Sequence, residues 1–159
     1  MNRTATIFLR IVIILIGALA LFLMVRLPLT EGRAVNLDLF SIYTDPFILY
    51  GFAASIPFFV ILYQVDRLLG NIGRNAVFSL RSLKALRTIK YSAITLSILI
   101  VLAGIYVRVF HHPDDDPAGF LALGIVTTGI TLVIATTAAV FEKILRTAVQ
   151  MKSENDLTV

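Results

Sequence analysis

The chain has 159 residues, of which 58% are apolar and only 15% are charged. Soluble domains carry about 25% charged residues, so the composition excludes a large aqueous domain. Cysteine is absent, which excludes disulfides, thiolate metal sites and thiol nucleophiles. The net charge is +4, and in a membrane chain such an excess usually reports loop orientation. We therefore expect no direct binding of nucleic acid.

Four stretches of the chain are apolar enough and long enough to cross a lipid bilayer. A helix rises 1.5 Å per residue, so about 20 residues cross the ~30 Å hydrocarbon core. The sequence predicts an all-α integral membrane protein, a single domain over residues 1–159 folded as a four-helix bundle of two helical hairpins. The predicted spans are residues 5–29, 46–65, 91–107 and 117–141.

The N-terminal apolar run also has the features of a secretory signal peptide. Arg3 and Arg10 precede it, and it contains the small-residue pattern of Ala18 and Ala20. The run continues without a break to Val25, whereas the apolar region of a signal peptide has about 7 to 15 residues. We therefore expect a retained first span.

Basic residues are distributed unequally between the two sides of the predicted spans. Eleven of the fourteen Lys and Arg residues fall in residues 1–10, 66–90 and 142–159. The positive-inside rule counts Lys and Arg in short loops. It predicts that both termini, the basic loop 66–90 and the tail 142–159 are cytoplasmic.

The basic loop holds the strongest candidate for a binding surface. Glycines and asparagines from Gly70 to Asn75 would break the second helix, and Ser79 is a good N-cap for a partly amphipathic helix from Leu80 into the third span. Its bases suit either anionic lipid headgroups or a cytoplasmic protein that also contacts the tail. The candidate binding residues are Arg74, Asn75, Ser79, Arg81, Lys84, Arg87 and Lys90.

Inside the spans, the sequence offers two features with both a packing and a functional interpretation. Pro57 removes a backbone donor and predicts a kink, which serves packing or acts as a hinge. The threonines of the fourth span either stabilise helix packing or line a polar path. No charged residue lies deep in a predicted span, which argues against a proton-coupled transporter. The charged residues near the span ends are expected to extend their side chains to the interface. They are Arg10, Arg26, Asp66, Arg108 and Glu142.

One polar turn supplies the only metal-ligand types that lie close together in the sequence. Imidazole and carboxylate groups bind zinc and other divalent ions, but adjacent histidines seldom point at one ion. We therefore predict no metal site and no cofactor, and this turn supplies only candidate ligands. These candidates are His111, His112, Asp114, Asp115 and Asp116.

Several segments carry a family resemblance in order and spacing. They are residues 54–59 (ASIPFF), 75–79 (NAVFS), 84–86 (KAL), 89–90 (IK), 115–119 (DDPAG) and 152–159 (KSENDLTV). With them the chain resembles the YoaS-like family of small bacterial membrane proteins, a domain of unknown function. The resemblance implies a multi-pass protein of the bacterial cytoplasmic (inner) membrane, often encoded beside a small helix-turn-helix regulator. It implies no catalytic residue.

Together these observations predict a non-enzymatic regulatory or binding module that engages a cytoplasmic partner through its basic loop and tail. The alternative is a small oligomeric channel or transporter, with the fourth span and the kinked second span lining the path. An enzyme is not expected, because no acid and base face each other at a predicted interface. The expected partners are membrane lipids, the helix-turn-helix regulator and a second copy of the chain.

Overall fold

A computed structural model describes residues 3–30, 37–73, 77–110 and 116–156. Every element in these ranges is an α-helix, and four of the helices are long and apolar enough to cross a membrane. The prediction of an all-helical membrane protein with four candidate spans is confirmed at this level. In chain order the helices are α1 (Arg3–Thr30), α2 (Leu39–Tyr43), α3 (Pro46–Gly73), α4 (Leu80–Phe110) and α5 (Ala118–Asp156).

Helices α4 and α5 are longer than a bilayer requires. They contain 31 and 39 residues, which corresponds to about 46 Å and 58 Å of helix. The amphipathic segment predicted after Ser79 and the third span form one continuous helix, and the tail continues α5 to Asp156. Ser79 caps α4 as predicted, because its Oγ accepts a hydrogen bond from the Ser82 backbone N–H at 3.3 Å.

The main helix contacts join consecutive candidate spans, with α1 on α3, α3 on α4 and α4 on α5. The core is shared by α3, α4 and α5 and consists largely of small or β-branched side chains. The small residues of this core, its alanines, let membrane helices approach closely. Its buried members are Ile61, Ile89, Ala93, Leu96, Ala135 and Ala138.

Helix α3 continues through Pro57 from Pro46 to Gly73 as a single element. Pro57 is half-buried and lies one helical turn before the buried Ile61. The hinge assigned to Pro57 therefore stays a prediction, within a helix that the proline does not interrupt.

Polar contacts join the helices at one end of the molecule, which we call the basic end. There Arg10 of α1 pairs with Asp66 of α3 at 3.1 Å. The Asn71 side chain of α3 donates a hydrogen bond to Ser82 Oγ of α4 at 3.0 Å. Lys90 of α4 forms a salt bridge with Glu142 of α5 at 2.6 Å. The basic end thus brings together the start of α1, the end of α3, the start of α4 and the second half of α5.

Aromatic rings join the helices at the opposite end. The Phe47 ring of α3 stacks on Tyr106 of α4 at 5.8 Å between centroids and lies 5.9 Å from Phe120 of α5. The short helix α2 also contributes, because Tyr43 donates its hydroxyl to the Val25 carbonyl of α1 at 2.6 Å. Aromatic side chains commonly occupy the membrane–water interface, so this end is consistent with the edge of the spans.

Candidate binding surface at the basic end

A buried carboxylate organises the basic end. The Glu142 side chain is only 6% exposed, and its Oε2 accepts a hydrogen bond from Lys90 Nζ at 2.6 Å. Its Oε1 lies 2.9 Å from Arg146 Nη2 and 3.5 Å from Arg87 Nε. A buried carboxylate is costly unless cations and hydrogen bonds compensate it. Three cations surround this one, so the cluster links α4 to α5.

The sequence interpretation of Glu142 was wrong in one respect. From its position at the end of the fourth span we expected a side chain that extends to the interface. The structure instead buries Glu142 between α4 and α5. Its partners explain the difference, because Lys90 lies 52 positions away in the sequence. The Arg146 contact, at i+4 on the same helix, is the part that spacing could have indicated.

The predicted binding residues divide into two groups. Lys90 is 20% exposed at its side chain and contacts Glu142 and the Tyr91 ring, whose centroid lies 4.6 Å from Nζ. Ser79 serves as the cap of α4, and its Oγ lies 3.2 Å from Ser82 Oγ. Both residues therefore have structural contacts.

The remaining predicted binding residues present charge at the surface or fall outside the described ranges. Arg81 and Lys84 are exposed, and the Arg87 side chain is 58% exposed although it reaches Glu142. Arg74 and Asn75 lie outside the described residues. The surface that the structure does show is thus formed by the first three turns of α4 and by α5 beyond Glu142.

An open groove of about 530 Å³ follows the seam between α4 and α5 at the basic end. It combines apolar side chains of α4 with cations from both helices. Arg146, which the sequence analysis did not select, contributes one of these cations. The lining residues are Leu80, Leu83, Lys84, Arg87, Thr88, Tyr91, Ser92, Glu142 and Arg146.

Two buried hydroxyl groups join α4 to α5 within the predicted spans. Ser97 Oγ lies 2.6 Å from Thr131 Oγ1 and also donates to the Ala93 carbonyl. The hydroxyls of Thr127 and Thr136 are hydrogen-bonded to carbonyls one turn earlier on α5. These three threonine hydroxyls have partners within the chain, and the choice between packing and a polar path stays a prediction.

A second groove, of about 460 Å³, lies between α4 and α5 nearer the aromatic end. It is lined almost entirely by apolar side chains, with Arg108 at one end of the lining. Gly124 faces Ile100 across it at an ordinary contact distance, while Gly119 and Gly129 face open space. The glycines of α5 therefore do not form one packing stripe, in agreement with their spacing of five residues.

The candidate metal ligands are only partly within the described residues. His111, His112, Asp114 and Asp115 lie outside them. Asp116 Oδ1 accepts a hydrogen bond from the Ala118 backbone N–H at 2.9 Å, which caps the start of α5. In the described ranges no group of three or more His, Cys, Asp or Glu side chains is placed to hold a metal ion.

The fold and these contacts define an α-helical membrane protein with four candidate spans and a basic, partly apolar surface at one end. Its family follows from comparison with known proteins. Residues 29–159 match the family described as "Protein of unknown function (DUF2975)", and the chain belongs to that family. The match includes α2 to α5 and leaves out nearly all of α1.

A full-length relative supports the same conclusion. The chain is 40% identical over 164 residues to "Uncharacterized membrane protein YoaS" of Bacillus subtilis (strain 168), and the alignment covers 100% of both proteins. No solved structure matches the chain. The resemblance to the YoaS-like family of membrane proteins is thereby confirmed.

Proposed function

We propose that this protein is a non-enzymatic binding module of the bacterial cytoplasmic membrane that engages a soluble cytoplasmic protein through its basic end. The observation that carries the proposal is the extension of α4 and α5 past the Lys90–Glu142 pair. From that level α4 extends ten residues to Leu80 and α5 extends fourteen residues to Asp156, which adds about 15 Å and about 21 Å of helix. A helix that only crossed the bilayer would not need this extension.

The extension is packed rather than loosely attached. Ser82, Ala85 and Leu145 are buried at 1%, 3% and 7% exposure, so α4 and α5 stay in contact beyond the salt bridge. Burial of these side chains fixes the surface that the two helices present. A fixed surface loses less conformational entropy when a partner binds.

The outward face of the extension combines charge with apolar area. Arg81 and Lys84 are exposed, as are Phe78 at 59% and Met151 at 58%. Protein interfaces combine apolar anchors, methionine and aromatic residues among them, with a polar rim. The partner that fits is a soluble protein with an acidic patch that surrounds an apolar pocket. The helix-turn-helix regulator implied by the family resemblance is the first protein to test.

Cytoplasmic orientation of the basic end follows from the distribution of Lys and Arg. The same orientation gives the extension access to soluble partners of the cytoplasm. A reporter fused to the C-terminus checks it: green fluorescent protein should fluoresce there, and alkaline phosphatase should be inactive. An active alkaline phosphatase fusion would place the extension outside the cytoplasm and contradict the proposal.

Site-specific photocrosslinking in living cells tests the partner. A photoreactive amino acid at Arg81 or Met151 should give a discrete adduct with one soluble protein, identified by mass spectrometry. At Ile125, which is 74% exposed within the fourth span, the same probe should give only lipid adducts.

Charge-reversal variants decide whether that adduct is specific. Arg81→Glu combined with Lys84→Glu should abolish the adduct formed from Met151, because both bases lie on the outward surface and make no contact with Glu142. Arg26→Glu combined with Arg108→Glu reverses the same number of charges at the aromatic end and should leave the adduct intact. Equal adduct yields from all variants would overturn the proposal.

A further inference from the structure

We propose that the groove at the basic end binds the headgroup of an anionic phospholipid of the surrounding bilayer, with Arg87 and Arg146 holding the phosphate. The proposal concerns a lipid site between α4 and α5 and does not depend on a protein partner. It goes beyond a general attraction of bases to the membrane, because it assigns binding to particular residues.

The depth of the groove suits a phospholipid phosphate. Tyr91 and Phe141 lie where the apolar runs of α4 and α5 end. Arg87 precedes Tyr91 by four residues and Arg146 follows Phe141 by five, which places both about 6 to 8 Å beyond the apolar boundary. The headgroup layer on each side of the hydrocarbon core is about 5 to 8 Å thick. The two guanidinium groups are therefore level with the phosphates.

The charge of the groove is strongly positive despite the buried carboxylate. Glu142 is the one acid among the groove-lining residues, and Lys84, Arg87 and Arg146 line the groove with it. Lys90 adds a fourth positive charge next to Glu142. The excess of three positive charges favours a ligand that carries negative charge in a partly dehydrated setting.

Glu142 also positions the two arginines. It contacts Arg87 through Nε and Arg146 through Nη2, whereas a guanidinium has five N–H donors in a planar fork. Each contact engages one nitrogen and leaves donors that point elsewhere. A phosphate accepts such donors in pairs, which is why arginine is common at phosphate sites.

The membrane-facing end of the groove matches the rest of a phospholipid. Tyr91 lines the groove on the bilayer side of Arg87 and is 56% exposed near the level where glycerol and acyl chains begin. Leu80 and Leu83 line the opposite end, beyond Arg87. A soluble phosphate compound would leave the Tyr91 ring uncovered. The combination therefore favours a lipid of the bilayer over a free phosphate.

Native mass spectrometry of the full chain in a neutral detergent tests the proposal. Phosphatidylglycerol and phosphatidylcholine with the same acyl chains are titrated separately, and phosphatidylglycerol should bind at least about tenfold more tightly. Each base near a membrane surface is worth about fivefold in affinity, so Arg87→Gln combined with Arg146→Gln should weaken phosphatidylglycerol binding about 25-fold.

The matched control removes two bases from the same end outside the groove. Arg67 and Lys143 are exposed and do not line the groove, so Arg67→Gln combined with Lys143→Gln should change the affinity less than about twofold. Equal losses in the two double variants would show non-specific attraction and overturn the proposal. Equal binding of the two lipids would overturn it as well.

Two further measurements cover the remaining outcomes. If the Arg87 and Arg146 double variant does not fold, Lys84→Gln replaces it. Lys84 lines the groove without a contact to Glu142. Its loss should weaken phosphatidylglycerol binding about fivefold. Glycerol phosphate at millimolar concentration should not displace the lipid. Displacement would identify a soluble phosphate as the ligand and would contradict the lipid assignment.

Discussion

Helix α1 and the three-helix unit α3 to α5 differ in how they are held. No residue from 4 to 30 is fully buried, whereas α3, α4 and α5 share a common core. The family match also begins at residue 29, just before the end of α1. The comparison indicates that the stability of the molecule resides in α3 to α5 and that α1 is attached to this unit through α3.

The side chains explain this difference. Membrane helices do not associate through the hydrophobic effect, because lipid is as apolar as leucine; they associate where small residues and polar pairs allow close contact. The contact between α4 and α5 has Ala93, Ala135 and Ala138 together with the Ser97–Thr131 pair. Helix α1 has large aliphatic side chains on all its faces, and most of them are exposed.

The largest effect is expected from the buried carboxylate. Glu142→Leu removes the partner of Lys90 and Arg146, and the loss of one member of a buried pair costs about 3 kcal/mol of unfolding free energy. Lys143→Leu is the matched control, because it removes a charge from the neighbouring exposed position; a change below about 0.5 kcal/mol is expected. Unfolding in mixed micelles, followed by circular dichroism, measures both. Equal stability of the two variants would show that the cluster does not stabilise the contact of α4 with α5.

Alanine-to-leucine substitutions compare the two regions directly. Ala93 has no exposed surface, so Ala93→Leu forces α3, α4 and α5 apart and should cost about 2 kcal/mol. Ala18 of α1 is exposed, so Ala18→Leu should change the unfolding free energy by less than about 0.5 kcal/mol. The same unfolding measurement applies. A comparable loss at Ala18 would mean that α1 has a packed face and would contradict the comparison.

Local signals allowed the sequence to predict much of the fold. The four candidate spans, the cap at Ser79 and the continuation of the basic helix into the third span all follow from apolar run length and capping chemistry. Each depends on residues within a few turns of one another. The family resemblance, too, rested on short segments and is confirmed over the full chain.

The binding surface was only partly predictable, because its geometry depends on contacts between distant residues. The sequence correctly selected Lys84 and Arg87 as residues of the groove. It grouped Lys90 with them as a binding residue, whereas the structure pairs Lys90 with the buried Glu142. It did not select Arg146, which reaches the groove only because α5 continues beside α4. Ser97 was likewise missed, since a single serine in an apolar run gives no sign that a threonine 34 residues later lies opposite it.

The pair of buried hydroxyls should contribute a smaller coupling. Side-chain hydrogen bonds between membrane helices average about 0.6 kcal/mol in double-mutant cycles. Ser97→Ala, Thr131→Val and the combined variant should give a coupling energy of about that size by the same unfolding method. Thr136→Val is the control, because the Thr136 hydroxyl is exposed and bonds only to its own helix. A coupling of Thr136 to Ser97 as large as that of Thr131 would rule out the direct contact.

The smallest energetic effect is expected where α1 meets α3. Arg10 and Asp66 are 44% and 42% exposed at their side chains, and such pairs contribute about 0.2 to 1 kcal/mol. Asp66→Asn should therefore lower the stability by only about 0.5 kcal/mol. Arg67→Gln, at the next position, removes a charge that takes no part in the Arg10–Asp66 contact and serves as the control.

The rate of crosslinking between α1 and α3 reports their contact more sensitively than the free energy of unfolding does. A Cβ atom on Gly17 would lie 3.4 Å from Leu62 Cδ1 of α3, and the chain has no native cysteine. Gly17→Cys combined with Leu62→Cys therefore brings two thiols to this contact, where a short membrane-permeant thiol crosslinker should join them. In the Asp66→Asn background the rate should fall by about twofold, as expected from the loss of a weak contact. An unchanged crosslinking rate would mean that packing around Gly17 alone holds α1 against α3. A complete loss of crosslinking would mean that the Arg10–Asp66 pair, rather than the packing, holds α1 in place.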